Sequence, residues 1–93
     1  MPDAPQAEVS DRRFHLRGWF SHRATELIQA LLADPVKVAN DLEADLRNGG
    51  DAGKTSALLS VARVFGDVRG IDLTSRIREV SDKLRSAGFD VYC

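Results

Sequence analysis

Residues 49–55, which read Gly-Gly-Asp-Ala-Gly-Lys-Thr, contain the residue types that bind phosphate groups. In a phosphate-binding loop, glycines bring backbone N–H groups to the phosphates, and the lysine and threonine bind phosphate oxygens and the metal ion. That loop also requires a glycine five residues before Gly53, where this chain has Asn48. We therefore interpret residues 49–55 as a loop between two helices and predict no cofactor. The alternative is nonspecific binding of an anion near Lys54 and Thr55.

Two histidines, His15 and His22, are the next candidates for chemistry. A helix would place them roughly on one face but two turns apart, because they are seven residues apart. Two ligands at that distance cannot share one zinc ion without a third element, and only Glu26 follows closely in the sequence. No serine has the sequence context of a catalytic nucleophile. We predict no metal site and no catalytic residue, so the chain is not expected to be an enzyme.

Residues 12–23, here called the basic-aromatic segment, have a composition typical of interaction surfaces. Four arginines and no acidic residue occur in it, interleaved with aromatic side chains. Arginine pairs bidentately with carboxylates or phosphates, and tryptophan supplies a large apolar anchor. The predicted partner-binding residues are Arg13, Arg17, Trp19, Phe20 and Arg23. Residues 34–51 have the opposite character, with five acidic residues against Lys37 and Arg47.

Three interpretations of the basic-aromatic segment stay open. In the one on which the functional prediction rests, it binds an acidic protein partner, and the chain is a small regulatory or inhibitory module. In the alternative it binds nucleic acid, and the chain is a regulator that resembles helix-turn-helix proteins through residues 35–66. That resemblance is weak, because the second helix carries only Lys54 and Arg63 as cations, whereas a recognition helix needs exposed basic residues. In the third, Leu16, Trp19 and Phe20 belong to the core and the arginines face solvent.

The first 33 residues contain a polar N-terminal tail and one helical pattern. Residues 1–9 include prolines and show no apolar period, which predicts a disordered tail. Apolar residues then recur at spacings of three and four, which predicts one helix over about 11–33, bent at Gly18. The alternative is a short extended piece, a break at Gly18 and a helix over 22–33 capped by Ser21. The pair Asp34-Pro35 ends this helix and begins the next.

Three further helices are predicted, over about 35–48, 54–66 and 72–87. Asn48-Gly49-Gly50 ends the second helix, and Gly66 to Gly70 is predicted to be a turn. Gly88 followed by Phe89 is typical of a Schellman motif at the end of the fourth helix. Residues 90–93 are predicted to be a short strand or a tail. The chain is thus predicted to be all-α, a compact four-helix domain over residues 10–93.

The third helix is predicted to be the centre of the domain. Seven of the nine residues 57–65 are apolar, and the nearby polar residues fall on one thin line. A helix of this kind is packed by neighbours on most sides. The fourth helix has a narrow apolar seam, which is expected either to pack within the monomer or to form a homodimer. The seam residues are Leu73, Ile77, Val80 and Leu84.

Bulk composition limits the function classes. The 93 residues carry 13 basic and 14 acidic side chains, a formal net charge of −1, which argues against a general nucleic-acid coater or a polybasic membrane binder. No apolar stretch is long enough to span a membrane. The only cysteine, Cys93, allows no intramolecular disulfide, and residues 1–9 do not resemble a signal peptide. We therefore expect a cytoplasmic protein.

Overall fold

The computed structural model describes residues 21–93, which form four helices and no strand. The helices are α1 (residues 21–33 within the described part), α2 (Pro35–Arg47), α3 (Ala52–Val68) and α4 (Thr74–Ser86). The predicted all-α, four-helix architecture is therefore confirmed. The predicted tail over 1–9, the start of the first helix near residue 11 and its bend at Gly18 lie outside the described residues.

The corner between α1 and α2 is formed by Asp34 and Pro35, as predicted. The carboxylate of Asp34 accepts a hydrogen bond from Lys37 N–H at 3.2 Å, which caps one of the N–H groups that a helix start leaves unpaired. Its own N–H donates to Ala30 O at 2.8 Å. Pro35 lacks an N–H group and fits the first helical position. Asp34 is thus the single residue between α1 and α2.

The glycine-rich residues 49–55 include the connection from α2 to α3, as predicted, although α3 begins at Ala52 rather than near residue 54. Gly49 has a φ of +97°, a left-handed conformation that glycine adopts at little cost. Asp51 is the N-cap, and its Oδ1 accepts hydrogen bonds from Gly53 N–H at 2.8 Å and Lys54 N–H at 3.2 Å. The amides that a phosphate-binding loop would offer to a ligand are thus bound by the protein's own carboxylate.

Removal of the Asp51 cap is expected to destabilise the domain measurably. The substitution Asp51→Ala leaves two N–H groups at the start of α3 without their side-chain acceptor, at a cost of about 1 kcal/mol in the free energy of unfolding. Urea denaturation followed by circular dichroism measures the change. Asp51→Asn retains a capping oxygen and serves as the control, with an expected loss below about 0.5 kcal/mol. Equal losses for both variants would show that the charge, and not the cap, stabilises this helix start.

Gly66 lies inside α3, which corrects the prediction of a turn from Gly66 to Gly70. The helix continues to Val68, and Gly70, with a φ of +76°, follows it. The connection to α4 then returns across Gly66, whose carbonyl accepts a hydrogen bond from Ile71 N–H at 2.8 Å. Gly66 is buried at this crossing. The glycine is thus required for close packing rather than for ending the helix.

The Schellman motif predicted at Gly88 and Phe89 is confirmed. Phe89 N–H donates to Leu84 O at 3.1 Å, and Gly88 N–H donates to Arg85 O at 3.0 Å, with Gly88 at a φ of +98°. These are the two hydrogen bonds that define the motif. At the other end, α4 begins at Thr74, and Asp72 Oδ1 accepts from Thr74 N–H at 3.0 Å. That hydrogen bond lowers the pKa of the Asp72 carboxyl.

The apolar seam of α4 is deeply buried. Leu73, Val80 and Leu84 are 0% exposed, and Ile77 is 2% exposed. They belong to one core cluster with apolar residues of the other three helices. The seam is therefore packed within the monomer, as one alternative predicted. The other alternative, a homodimer through Leu73, Ile77, Val80 and Leu84, finds no support in this structure, because these side chains are at most 2% exposed in the monomer.

The central helix is less enclosed than predicted. Leu58 is buried and Val61 and Phe65 are half-buried, but Val64 is 52% exposed and Val68 is 81% exposed. One apolar face of α3 therefore contacts solvent within the described structure. The predicted enclosure of α3 on most sides is wrong in this respect.

Residues 89–93 form neither a strand nor a free tail. Val91 is 1% exposed, and its carbonyl accepts a hydrogen bond from Arg85 Nη1 at 2.8 Å. The backbone N–H of Tyr92 donates to Ser56 Oγ at 2.9 Å, and that hydroxyl donates to Ala52 O at 2.8 Å. The chain end is thus held against α3 and α4. Ser56, a polar residue of α3, is buried where it anchors this segment.

Candidate binding groove

Arg23 is the one predicted partner-binding residue within the described part of the chain; Arg13, Arg17, Trp19 and Phe20 lie outside it. Arg23 is exposed in the described part of α1, and its Nη1 lies 3.4 Å from Glu26 Oε1. His22 Nε2 also lies 3.4 Å from the same oxygen. The arginine therefore sits beside a carboxylate and does not form part of a purely basic surface.

Two cavities adjoin at Arg23, Leu42 and Leu58, which line both. The first has a volume of about 290 Å³ and the second about 230 Å³. We refer to them together as the α1–α2–α3 groove, because their walls come from these three helices. The first cavity is also lined by Glu26, Leu27, Ala30, Val38 and Asp41, and the second by Asp45, Asp51, Lys54 and Thr55.

The floor of the groove is apolar. Leu27, Val38 and Leu58 belong to the buried core, and each faces the groove with part of its surface. Val38 and Leu42 are four residues apart in α2 and so lie on one helix face. Leu42 is only half-buried, so it is the floor residue most open to a ligand. The apolar stripes that helix periodicity produces thus supply both the core and the floor of the groove.

The rim of the groove carries more acidic than basic side chains. Its carboxylates are Glu26, Asp41, Asp45 and Asp51, and its cations are Arg23 and Lys54. Asp41 Oδ2 is bound by Lys37 Nζ at 2.9 Å, and this hydrogen bond, with the charge of Asp41, raises the pKa of Lys37. Within residues 21–93, Asp45 forms no ion pair. The groove therefore presents a net negative edge around an apolar floor.

The groove has the features of a binding site for a ligand or a peptide. Among residues 21–93, no three His, Cys, Asp or Glu side chains come together in a way that could hold a metal ion. Small apolar concavities with a few polar groups at the edge are the usual shape of ligand and peptide sites.

Sequence reasoning missed the groove as a site. It predicted the helix over about 35–48, which carries Asp41, Leu42 and Asp45, but not the neighbours of that helix. Only the packing of α1 and α3 beside it makes a concave surface. The available signal was the excess of acidic residues over 34–51, which predicted an acidic region without predicting an apolar floor.

None of the helices described here combines the length and the apolar content that a membrane span requires. Comparisons of the chain with models of protein families, with curated proteins and with solved structures gave no match.

Proposed function

We propose that the chain is a small protein-binding module with a regulatory or inhibitory role, whose partner contacts the α1–α2–α3 groove and the basic-aromatic segment. The observation that carries the proposal is the pair of adjoining cavities with an apolar floor and a charged rim. Arg23, a member of the predicted segment that the structure describes, lines both cavities.

A protein partner fits the described surface better than a nucleic acid does. Carboxylates repel phosphates, and four carboxylates line the groove that contains Arg23. In the helix-turn-helix alternative, α3 would be the recognition helix, but its exposed residues include Val64 and Val68, which contact neither base edges nor phosphates by hydrogen bonds. Nucleic-acid binding through residues 12–23 therefore stays the second candidate, without support from the described helices.

The proposal is tested by a partner capture that compares two lysine substitutions in the full-length chain. Leu42→Lys places a charge on the floor of the groove and is expected to lower the recovered partner at least about tenfold, since desolvated central contacts contribute most of the binding energy. Val64→Lys is the matched control, because Val64 lies on another face of α3 and is 52% exposed. Quantitative mass spectrometry of captured proteins measures the ratio, and circular dichroism checks that both variants are folded.

A partner kept by Leu42→Lys and lost with Val64→Lys would assign binding to the outer face of α3 and overturn the proposal. The double substitution Arg13→Glu with Arg17→Glu separates the groove from the basic-aromatic segment. If only this double variant loses the partner, the segment binds alone and the groove does not participate. Recovery of nucleic acid instead of a protein, with steep loss between low and physiological salt, would support the second candidate.

A further inference from the structure

We infer that the occupant of the α1–α2–α3 groove is a positively charged, amphipathic helix of a partner protein. The inference rests on the proposed function and adds the conformation and charge of the bound segment. It depends on three features of the described residues: the apolar floor, the composition of the rim and the helical walls.

The walls favour a helical occupant over an extended one. All three walls are helices, whose backbone groups are hydrogen-bonded internally, and no strand edge occurs within residues 21–93. An extended segment would bury unpaired backbone N–H and C=O groups in such a groove, whereas a helix pairs its own. Helix-in-groove recognition uses apolar anchors at spacings of three and four residues. Such anchors would contact the apolar surface of Leu27, Leu42 and Leu58, which come from three different helices.

The rim selects a basic occupant. Its carboxylates outnumber its cations by four to two, and the cation Arg23 already lies beside Glu26. Asp45 has no ion-pair partner within residues 21–93 and lines the same cavity as Leu42 and Leu58. A lysine or arginine on the polar edge of the bound helix would face this carboxylate while its apolar side contacts the floor.

The test uses two synthetic probes and the full-length chain. One probe is a labelled amphipathic peptide of about five helical turns made of leucine and lysine, and the other has glutamate in place of each lysine. Fluorescence anisotropy gives the affinities, and amide chemical shifts of the isotope-labelled chain give the position. We expect the lysine peptide to bind at least about tenfold more tightly, with shifts concentrated at Leu27, Leu42 and Leu58.

Charge variants show whether the rim causes this preference. Asp45→Lys is expected to weaken the lysine peptide about fivefold or more, because it replaces an attraction by a repulsion at the groove. Glu79→Lys makes the same change in net charge on α4, outside the groove, and is expected to alter the affinity less than about twofold. Equal effects of the two variants would show general attraction to an acidic protein and overturn the inference.

The remaining outcomes separate this inference from the proposed function. Tighter binding of the glutamate peptide, with shifts in the groove, would overturn the assigned charge and leave groove binding intact. If neither peptide shifts the groove residues, both the inference and the groove as a binding site are wrong. If the lysine peptide binds only after Arg13→Glu with Arg17→Glu, the chain's own basic residues compete for the groove, and an external helix is not its resting occupant.

Discussion

Replacement of Leu84 by alanine is expected to lower the free energy of unfolding by about 2–5 kcal/mol. Leu84 is 0% exposed and is packed among apolar residues of all four helices in the described core. The substitution removes several buried carbon atoms and leaves a cavity that the surrounding helices fill only partly. Since domains of this size are stable by about 5–15 kcal/mol, the variant loses a large fraction of its stability.

The measurement also distinguishes the two interpretations of the α4 seam. Urea unfolding of the parent and of Leu84→Ala is recorded at two protein concentrations at least about tenfold apart. A seam packed within the monomer gives midpoints that do not depend on concentration, whereas a seam that joins two copies gives midpoints that rise with it. Val64→Ala, at an apolar residue of α3 that is 52% exposed, is the control and is expected to cost less than about 1 kcal/mol.

The local signals in the sequence predicted the ends of the helices well. Asp34-Pro35 and Gly88-Phe89 act through hydrogen bonds and backbone angles that involve only a few neighbouring residues, so their structural outcome follows from the sequence nearby. The α4 seam was also predicted, because residues four and three apart must share a helix face. Which partner would cover that face was left open, since periodicity describes one helix and not its neighbours.

Features that depend on the arrangement of several helices could not be predicted in the same way. The apolar character of residues 57–65 indicated a helix enclosed on most sides, yet Val64 and Val68 contact solvent in the described structure. The binding groove likewise needs Leu27, Leu42 and Leu58 to approach one another from three different helices. Composition gave the sign of the charge over residues 34–51, but not the apolar floor between those charges.

Gly66 shows why one glycine was misinterpreted as a stop signal. Glycine near the end of an apolar run usually takes the left-handed conformation that terminates a helix. Here the termination is made by Gly70, and Gly66 continues the helix under the returning chain. A single sequence does not distinguish a glycine chosen for its backbone angle from one chosen for its lack of a side chain, because both demands exclude a Cβ atom.

The substitution Gly66→Ala is therefore expected to lower the free energy of unfolding by about 1–3 kcal/mol, although alanine favours a helix interior by about 1 kcal/mol over glycine. A methyl group at this position would lie 2.8 Å from Leu73 Cδ1 and 2.9 Å from Ile71 O. Leu73 is fully buried and Ile71 O belongs to the backbone, so neither atom moves away without disturbing the connection to α4. Thermal and urea unfolding measure the loss.

Gly53→Ala in the same helix is the matched control for this effect. Among residues 21–93, a Cβ atom there meets only Asp51 Oδ1, at 3.1 Å, and this carboxylate belongs to an exposed residue. The change in stability is expected to stay within about 1 kcal/mol in either direction, because the propensity gain and the small displacement of the cap oppose each other. If Gly66→Ala proves as stable as Gly53→Ala or more so, the close crossing of the α3–α4 connection does not limit this position. Gly66 would then be a simple helix residue whose replacement improves the fold.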